Sequence, residues 1–332
     1  MQKEQIYFRK LSLQSTNSIY TYLVLFFKYY LIIFIIKKKI KFIINPFSGL
    51  SRKKNVPVLI DTYLDKAQFD YTIAFTEYAG HATELAAEAV NQQYDIVVAV
   101  GGDGSINEVA DALIGTSVQL GILPGGSGNG FAMHLGWGRS VVKAIKKLAH
   151  AKAITIDTCL LNGRSFVNLA GTGFDALVAY KAKESTLRGL YAYTKFAILE
   201  AWSYPIETYT LIIDGQLISQ EAALVIEVAN AQMFGYNFVI APQAKLNDGI
   251  LDVLVVKKVP KWRYLFSLWR FFNRTFHQSS LVKTFSGKHI QIQCEQVMPV
   301  HVDGEGYYLD KVLDFKIVPS SLEVLVPANN LI

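Results

Sequence analysis

The sequence predicts an α/β protein in two parts, an N-terminal parallel-sheet domain followed by a β-rich sandwich domain. Three observations carry that prediction. Up to about residue 152, apolar strand-like runs each stop at a turn and give way to helical spacing, the alternation that builds a parallel sheet covered by helices. Three of the turns that end strands are rich in glycine. Beyond residue 152, strand candidates and hairpin signals dominate instead.

The elements follow in order. Ile40 to Ile44 is a short apolar run stopped by Asn45-Pro46-Phe47-Ser48-Gly49, a strand ending in a turn. Tyr71 to Thr76 alternates as a strand does, and His81 to Asn91 repeats its apolar residues at helical spacing. Asp95 to Val100 reads as a buried strand, followed by Gly101-Gly102-Asp103-Gly104-Ser105 and a helix through Leu113. Leu120 to Leu123 runs into Pro124-Gly125-Gly126-Ser127-Gly128-Asn129-Gly130 and another helix. The second part holds strand candidates at 153–161, 165–170, 207–214, 222–229, 251–256, 281–285 and 289–294, with helices at Leu187–Trp202 and Lys261–Phe276. Asn162-Gly163 and Asp214-Gly215 are hairpin turns by composition. The boundaries are therefore an apolar leader over 1–36, the α/β domain over 37–152, the sandwich over 153–318, and a segment over 319–332 that is short enough to return to the first domain.

Charge is distributed unevenly along this plan. The chain carries a net +6, but residues 1–41 hold Lys3, Arg9, Lys10, Lys28, Lys37, Lys38, Lys39 and Lys41 against Glu4, a net +7, which leaves −1 for everything after. A near-neutral body gives no electrostatic reason to bind nucleic acid, and no nucleic-acid partner is expected. Ile19 to Ile36 is apolar except for Thr21 and Lys28, barely the length of a membrane span with a cation at its centre. It reads either as an anchor, whose Lys37–Lys41 flank holds the body at the cytoplasmic face of the membrane, or as an upstream extension from a misassigned start. A cleaved signal peptide is excluded, since no small-residue site follows. The two cysteines, Cys159 and Cys294, offer neither a disulfide framework nor a zinc motif. The six histidines show no ligand spacing, and no catalytic histidine is assigned.

Glycine lets a backbone approach an anion, and the helix behind the turn presents free N–H groups. Three such turns at one edge of one sheet point to a polyphosphate. No GxxxxGK[ST] loop occurs, so backbone and hydroxyl groups would hold the phosphates and a metal would supply the charge of the missing lysine.

Gly101-Gly102-Asp103-Gly104-Ser105-Ile106-Asn107-Glu108 resembles the GGDGT-x-NE motif of the diacylglycerol kinase catalytic domain family, which includes bacterial lipid kinases and sphingosine kinases. The resemblance continues, in order, through Asn45–Gly49, Thr76 with Gly80-His81-Ala82, Leu123–Asn129, Gly171–Ala176, Asn247-Asp248-Gly249 and Asp303-Gly304-Glu305, spanning about residues 39–328. Ser105 stands for the more usual threonine, and Gly126-Ser127-Gly128-Asn129 is closer to the sphingosine kinase form. The resemblance implies an NAD kinase/diacylglycerol kinase-like nucleotide-binding domain and a kinase that uses ATP and Mg²⁺ to phosphorylate a lipid at a membrane surface. It implies that Thr76, Gly101, Gly102, Asp103, Gly104, Ser105, Ile106, Asn107 and Ser127 contact the nucleotide, with Asn45, Ser48 and Gly49 beside them. Asp103 would hold a catalytic Mg²⁺ or share in proton transfer, its structural alternative being a helix cap. Glu305, assisted by Asp303, would accept the proton of the attacking hydroxyl. Asp248 would hold a second Mg²⁺ with backbone carbonyls near Lys245 and Ile250, its alternative being a plain turn. A homodimer is left open.

Gly171-Thr172-Gly173-Phe174-Asp175-Ala176 mimics a dinucleotide fingerprint, yet the next helix is expected only around Tyr191–Trp202, so Asp175 is placed near the acceptor headgroup, and Arg188 reads either as reaching phosphate or as a solvated charge before that helix. Lys261–Phe276 reads as a basic, aromatic helix, lying on a membrane or packed as core with snorkelling cations. Two rival functions remain: an NAD kinase, and a non-catalytic nucleotide- or lipid-binding protein of the same fold.

Overall fold

The computed structural model describes residues 37–49, 55–185, 187, 189–267, 269–273 and 275–328; the leader and Arg188 lie outside them. The first domain is a parallel sheet of β1 (Lys38–Ile44), β2 (Phe69–Phe75), β3 (Ile96–Gly101) and β4 (Gln119–Pro124), in the order β2-β1-β3-β4. Every residue of β3 is buried, as expected where helices cover both faces. The helices are α1 (Val56–Tyr63), α2 (His81–Asn91), α3 (Asp103–Leu113), the short α4 (Gly130–His134) and α5 (Val141–Leu148). α1 packs on α5 and α2 on α3, which is how right-handed crossovers distribute them over this strand order.

Register aligns the ends of the strands. Ile44 pairs with Val100 and Gly101 with Pro124, so the three glycine-rich turns leave the sheet at one level, its carboxyl edge.

The second domain is a sandwich. It comprises β5 (Lys152–Leu161), β6 (Arg164–Phe166), β7 (Leu169–Gly173), α6 (Phe174–Glu184), α7 (Gly189–Glu200), β8 (Thr208–Ile213), β9 (Gln216–Ala229), β10 (Leu251–Lys257), α8 (Lys261–Leu265), α9 (Trp269–Phe272), β11 (Val282–Gly287), β12 (His289–Gln293), β13 (Pro299–Val302), β14 (Glu305–Tyr308) and β15 (Val312–Val326). β9 belongs to both layers: residues 216–222 pair with β8, whereas 223–229 pair with β10 and, over 225–229, with β7. Between the layers lie Phe166, Tyr209, Leu211, Val253, Ile290 and Phe315, all buried.

An antiparallel ribbon of β5 and β15 joins the domains. Its outer half pairs 158–161 with 315–318 in the sandwich, and its inner half pairs 152–156 with 322–326, where Val324 also meets Leu120 of β4. The register slips between Val318 and Leu322, with Ser320 at φ 49°. Buried Asp157 spans the slip, accepting from Ser320 N at 2.8 Å and Gly249 N at 2.7 Å. Leu322, Val324, Leu325 and Val326 thereby complete the apolar core of the first domain, and Trp137 Nε1 donates to Leu325 O at 3.1 Å.

Several elements differ from expectation. The strand expected over 165–170 is broken at Val167-Asn168, where the backbone turns its amides to a carboxylate instead of a neighbouring strand. Gly171–Ala176 does open a helix, α6, but β7 pairs antiparallel with β9 and β13, so no dinucleotide-type βαβ unit follows. Lys261–Phe276 is not one helix; α8 and α9 are separate short turns of helix, too short to form a continuous amphipathic stripe. The expected hairpins at Asn162-Gly163 and Asp214-Gly215 are present, with all four residues at positive φ. No helix among the described residues is long and apolar enough to cross a membrane.

Leu322→Ala removes a buried side chain from a strand that reaches the first domain only after crossing the second. Urea unfolding should show a loss of about 2–5 kcal/mol, the range for a central core leucine; a change near zero would mean that the C-terminal segment is dispensable to that core.

Candidate active site

The three glycine turns pack against one another. A Cβ on Gly126 would strike the Cα of Gly102, and one on Gly49, at φ 74°, would strike the carbonyl oxygen of Gly125. Gly125 N donates to Gly101 O at 2.7 Å, and Asn45 N to Val100 O at 3.1 Å. Asn45 Nδ2 donates to Ser105 Oγ at 2.9 Å, and Ser48 Oγ to Asn45 O at 3.2 Å. Asn129, itself at φ 52°, holds the Gly126 peptide from both sides: Oδ1 accepts from Gly126 N and Nδ2 donates to Gly126 O, each at 2.8 Å. The result is a backbone-lined cradle with few side chains in it. Thr76 lies buried at the end of β2, and Ser127 is exposed at the tip of the third turn.

The polar residues of the second turn brace its neighbours. Asp103 accepts from Gly130 N and Phe131 N at 3.1 Å each, so it caps α4 instead of its own helix. Burial pushes its carboxyl up, the two amides oppose that, and the negative charge of Asp303 adds to it. Glu108, one turn further along α3, accepts from Gly80 N at 3.0 Å and Ala82 N at 3.2 Å and caps α2. Asn107 Nδ2 donates to Ser165 O at 3.0 Å and to Asp303 Oδ2 at 2.8 Å, reaching across to the second domain.

Asp303 and Gly304 form the two-residue turn between β13 and β14, at φ 48° and 86°, the Asp-Gly hairpin geometry. The Asp303 carboxylate is buried and takes four donors: Val167 N at 3.0 Å, Asn168 N at 2.9 Å, Leu169 N at 3.0 Å and Asn107 Nδ2. Burial raises its pKa and those donors oppose the rise. Glu305 is placed differently. Its side chain is 43 % exposed, Oε2 accepts from Tyr307 Oη at 2.9 Å and meets Lys183 Nζ at 3.3 Å, and Oε1 occupies the space a Cβ on Gly104 would need. The glycine turn and the Asp303-Gly304-Glu305 turn thus face each other across the domain boundary. Tyr193 Oη, from α7, donates to Gly304 O at 2.7 Å.

Asp248 is separate from this group. It lies exposed on the turn that Asp157 anchors, with Lys245 and Ile250 exposed beside it and its own Oδ1 accepting from Ile250 N at 3.1 Å. Burial raises the carboxyl of nearby Asp252 to about 6, and the charge of Asp248 adds to it. Two neighbouring carboxylates offer the oxygen ligands that a hard divalent cation prefers, so the residues present fit Mg²⁺.

Two matches cover nearly all of this structure. Residues 39–161 match the model of the diacylglycerol kinase catalytic domain, and residues 168–326 that of the YegS C-terminal NAD kinase beta sandwich-like domain. A diacylglycerol kinase of Staphylococcus saprophyticus is 30 % identical over 277 residues, covering 81 % of this chain and 89 % of the relative. The chain belongs to the diacylglycerol kinase catalytic domain family. A diacylglycerol kinase of Bacillus subtilis is 28 % identical over 275 residues, covering 81 % of this chain and 90 % of its own. A crystal structure of a diacylglycerol kinase from Bacillus anthracis shares the fold with a TM-score of 0.67 at 20 % identity, covering 89 % of this chain and 98 % of the other.

Within the family's two domains, the structure brings Asn45, Ser48, Gly49, Gly101–Asn107, Asp303 and Glu305 together and leaves Asp248, Lys245 and Ile250 apart. Glu108 and Asn129 stand inside the sequence motifs without a role assigned to them, and Lys183 and Tyr193 are not singled out by the sequence; Glu108, Lys183 and Tyr193 act through contacts far along the chain, Asn129 through Gly126 beside it. Only Asn129 had a local signal, an asparagine after glycine where a left-handed residue is tolerated.

His134 ends α4, the helix Asp103 caps, and burial holds its pKa down at about 4. The neutral ring is therefore the folded form, so its contribution is full above the unfolded value of 6.5 and is lost as pH falls from there toward 4. Thermal melts should show stability falling over that window by up to about 3 kcal/mol, and His134→Gln should flatten that slope. An identical slope in the variant would place the acid sensitivity elsewhere.

Proposed function

We propose that the chain is an ATP-dependent kinase that transfers the γ-phosphate to the hydroxyl of a lipid such as diacylglycerol, a sphingoid base or ceramide. The observation that carries this reading is the apposition of Glu305 to Gly104: the half-exposed carboxylate of the second domain stands directly over the glycine turn of the first. Phosphates lying in the cradle of Gly49, Gly101–Ser105 and Gly125–Ser127 would meet backbone N–H groups and the N-terminal end of α3. The lipid oxygen attacks the γ-phosphorus, the bond to the β–γ bridging oxygen breaks, ADP leaves, and the hydroxyl proton passes to Glu305. Asp303, saturated by donors, positions the turn, while Asp103 and Asn129 keep the cradle's shape. Lys183 and Tyr307 hold the Glu305 carboxylate in place until substrate arrives. Mg²⁺, when bound, supplies positive charge to the phosphate oxygens, and Asp248 with Asp252 offers a place for a second, structural ion.

A lipid acceptor is supported by the surface. Trp202 at the end of α7, Trp262, Phe266 and Trp269 are 75 %, 60 %, 73 % and 53 % exposed, and Lys261 lies over the Trp202 ring while Arg270 lies over Trp269. Exposed indoles bound to cations suit the headgroup layer of a membrane, which would place the enzyme peripherally.

Label transfer from radiolabelled ATP into a mixed lipid extract, with NAD as a competing acceptor, tests the reading. Labelled lipid is expected; labelled NAD without labelled lipid would overturn it. Glu305→Gln should lower the rate by about 10²–10⁴-fold, the range for loss of a general base.

Gly104→Ala separates geometry from stability. The added methyl meets only the mobile end of Glu305, and alanine favours the helix by up to about 1 kcal/mol, so melting should hold or rise while turnover drops by roughly tenfold. Unchanged turnover would show that Glu305 need not stand there.

A further inference from the structure

Behind the Asp303–Glu305 turn lies a buried cluster that the phosphoryl-transfer reading leaves unused. His301 comes from β13, Glu227 from the inner half of β9, and Asp175 from the first turn of α6. His301 Nε2 stands 2.9 and 3.0 Å from the two Glu227 oxygens and 3.3 Å from Asp175 Oδ2, and the ligating atoms of all three lie within 4.8 Å of one another. The side chains of His301 and Glu227 are each 3 % exposed.

Hydrogen bonding does not account for this arrangement. Nε2 carries at most one proton, yet three carboxylate oxygens crowd it. Both Asp175 oxygens are buried without a well-formed hydrogen bond, the His301 Nε2 contact at 3.3 Å being long for one, and a weakly served buried carboxylate is costly. Two ionised carboxylates out of water against one imidazolium leave one negative charge uncompensated. A divalent ion resolves all three difficulties. Ligands bonded at about 2.0–2.2 Å to one tetrahedral or near-tetrahedral ion stand roughly 3–3.5 Å apart, close to the spacing found here.

The surroundings leave room for such a centre. A Cβ on Gly171 would stand 2.6 Å from Glu227 Oε2, so the glycine of the Gly171–Ala176 block is what lets that carboxylate lie against β7. Phe234 covers the His301 ring, their centroids 5.6 Å apart. Asp175, with 28 % of its side chain exposed, is the side from which an ion enters.

We propose that Asp175, Glu227 and His301 bind one divalent transition-metal ion of the Zn²⁺ or Mn²⁺ class, distinct from the Mg²⁺ of phosphoryl transfer. An imidazole among carboxylates selects this class over Mg²⁺ and Ca²⁺, which favour all-oxygen sets. The ion takes the place of the Nε2 proton, which leaves to solvent, and ties β13, β9 and α6 to one point. His301 precedes Asp303 by two residues, and α6 carries Lys183, the partner of Glu305, so the ion's place in the molecule is to fix the turn and its counter-charge relative to each other. The inference concerns binding and is independent of which acceptor the enzyme phosphorylates.

The test uses the full-length protein stripped with chelator and dialysed against Zn²⁺ or Mn²⁺ in the presence of excess Mg²⁺, with bound metal counted by atomic emission. About one ion per chain should be retained, with affinity falling by about 100-fold or more in Glu227→Gln and in Asp175→Asn and unchanged in Asp248→Asn. Added Zn²⁺ or Mn²⁺ should raise the melting temperature of the unaltered protein and not that of Asp175→Asn, a partly exposed position whose substitution keeps the shape if Glu227→Gln fails to fold. Retention that is absent, or equal in the unaltered protein and Asp175→Asn, overturns the proposal; neither result depends on kinase activity.

Discussion

The carboxylate of Asp303 is the constraint on which the site is built. Three consecutive amides, Val167 to Leu169, turn away from strand pairing to reach it, and Asn107 crosses from the first domain to join them. Charge-assisted hydrogen bonds are the strong ones, each worth about 1.5–3 kcal/mol, and four of them on one buried group decide where three chain segments can lie. The break between β6 and β7, the hairpin turn at Asp303-Gly304 and the outward face of α3 are thus a single arrangement. Remove the carboxylate and three buried N–H groups lose their acceptor at once, a cost that hydration cannot recover away from solvent.

A two-domain cleft needs its halves held in fixed relation, and the β5/β15 ribbon supplies that. Each strand pairs in the sandwich with one half and in the first domain with the other, so the domains share hydrogen-bonded backbone instead of meeting at a flexible linker. The slip at Val318–Leu322 is where the ribbon changes layer, and Asp157 accepts from the Ser320 amide within it and from the Gly249 amide of a neighbouring turn. The same physics recurs at both crossing points: a buried aspartate collects backbone donors that regular pairing cannot use.

What the sequence made legible was local. Strand, turn and helix alternation identifies the parallel domain because its period is written in neighbouring residues, and Asn162-Gly163 and Asp214-Gly215 specify hairpins by their own backbone preferences. The glycine turns are readable as turns that end strands, and register explains why they meet. The rest was not local. Phe174–Glu184 was passed over because its apolar positions follow contacts with β13 and β14, so close that Gly306 has room for no side chain against Tyr180. The stretch from Lys261 reads as one helix because its aromatic residues repeat at helical spacing, but Trp262, Phe266 and Trp269 are exposed and lend no buried face to hold α8 and α9 as a single helix. His301 had no ligand spacing in the chain, since Asp175 and Glu227 lie in other elements.

The three acids of the glycine and Asp-Gly turns differ sharply in their surroundings. Asp303 is buried and Asp103 half-buried, and the hydrogen bonds drawn to their carboxylates come from backbone N–H groups and the Asn107 amide. The N–H groups aimed at each carboxylate favour its charged form, against the burial that raises both carboxyls. Glu305 alone has partners that can be displaced, a lysine ammonium at 3.3 Å and a tyrosine hydroxyl, and a face open to solvent. A group that accepts a proton during a reaction must have room for it and must exchange it with water afterwards. On the proposed reading, burial and donor count, more than acidity itself, would separate the acid placed to act from the two that hold it in place.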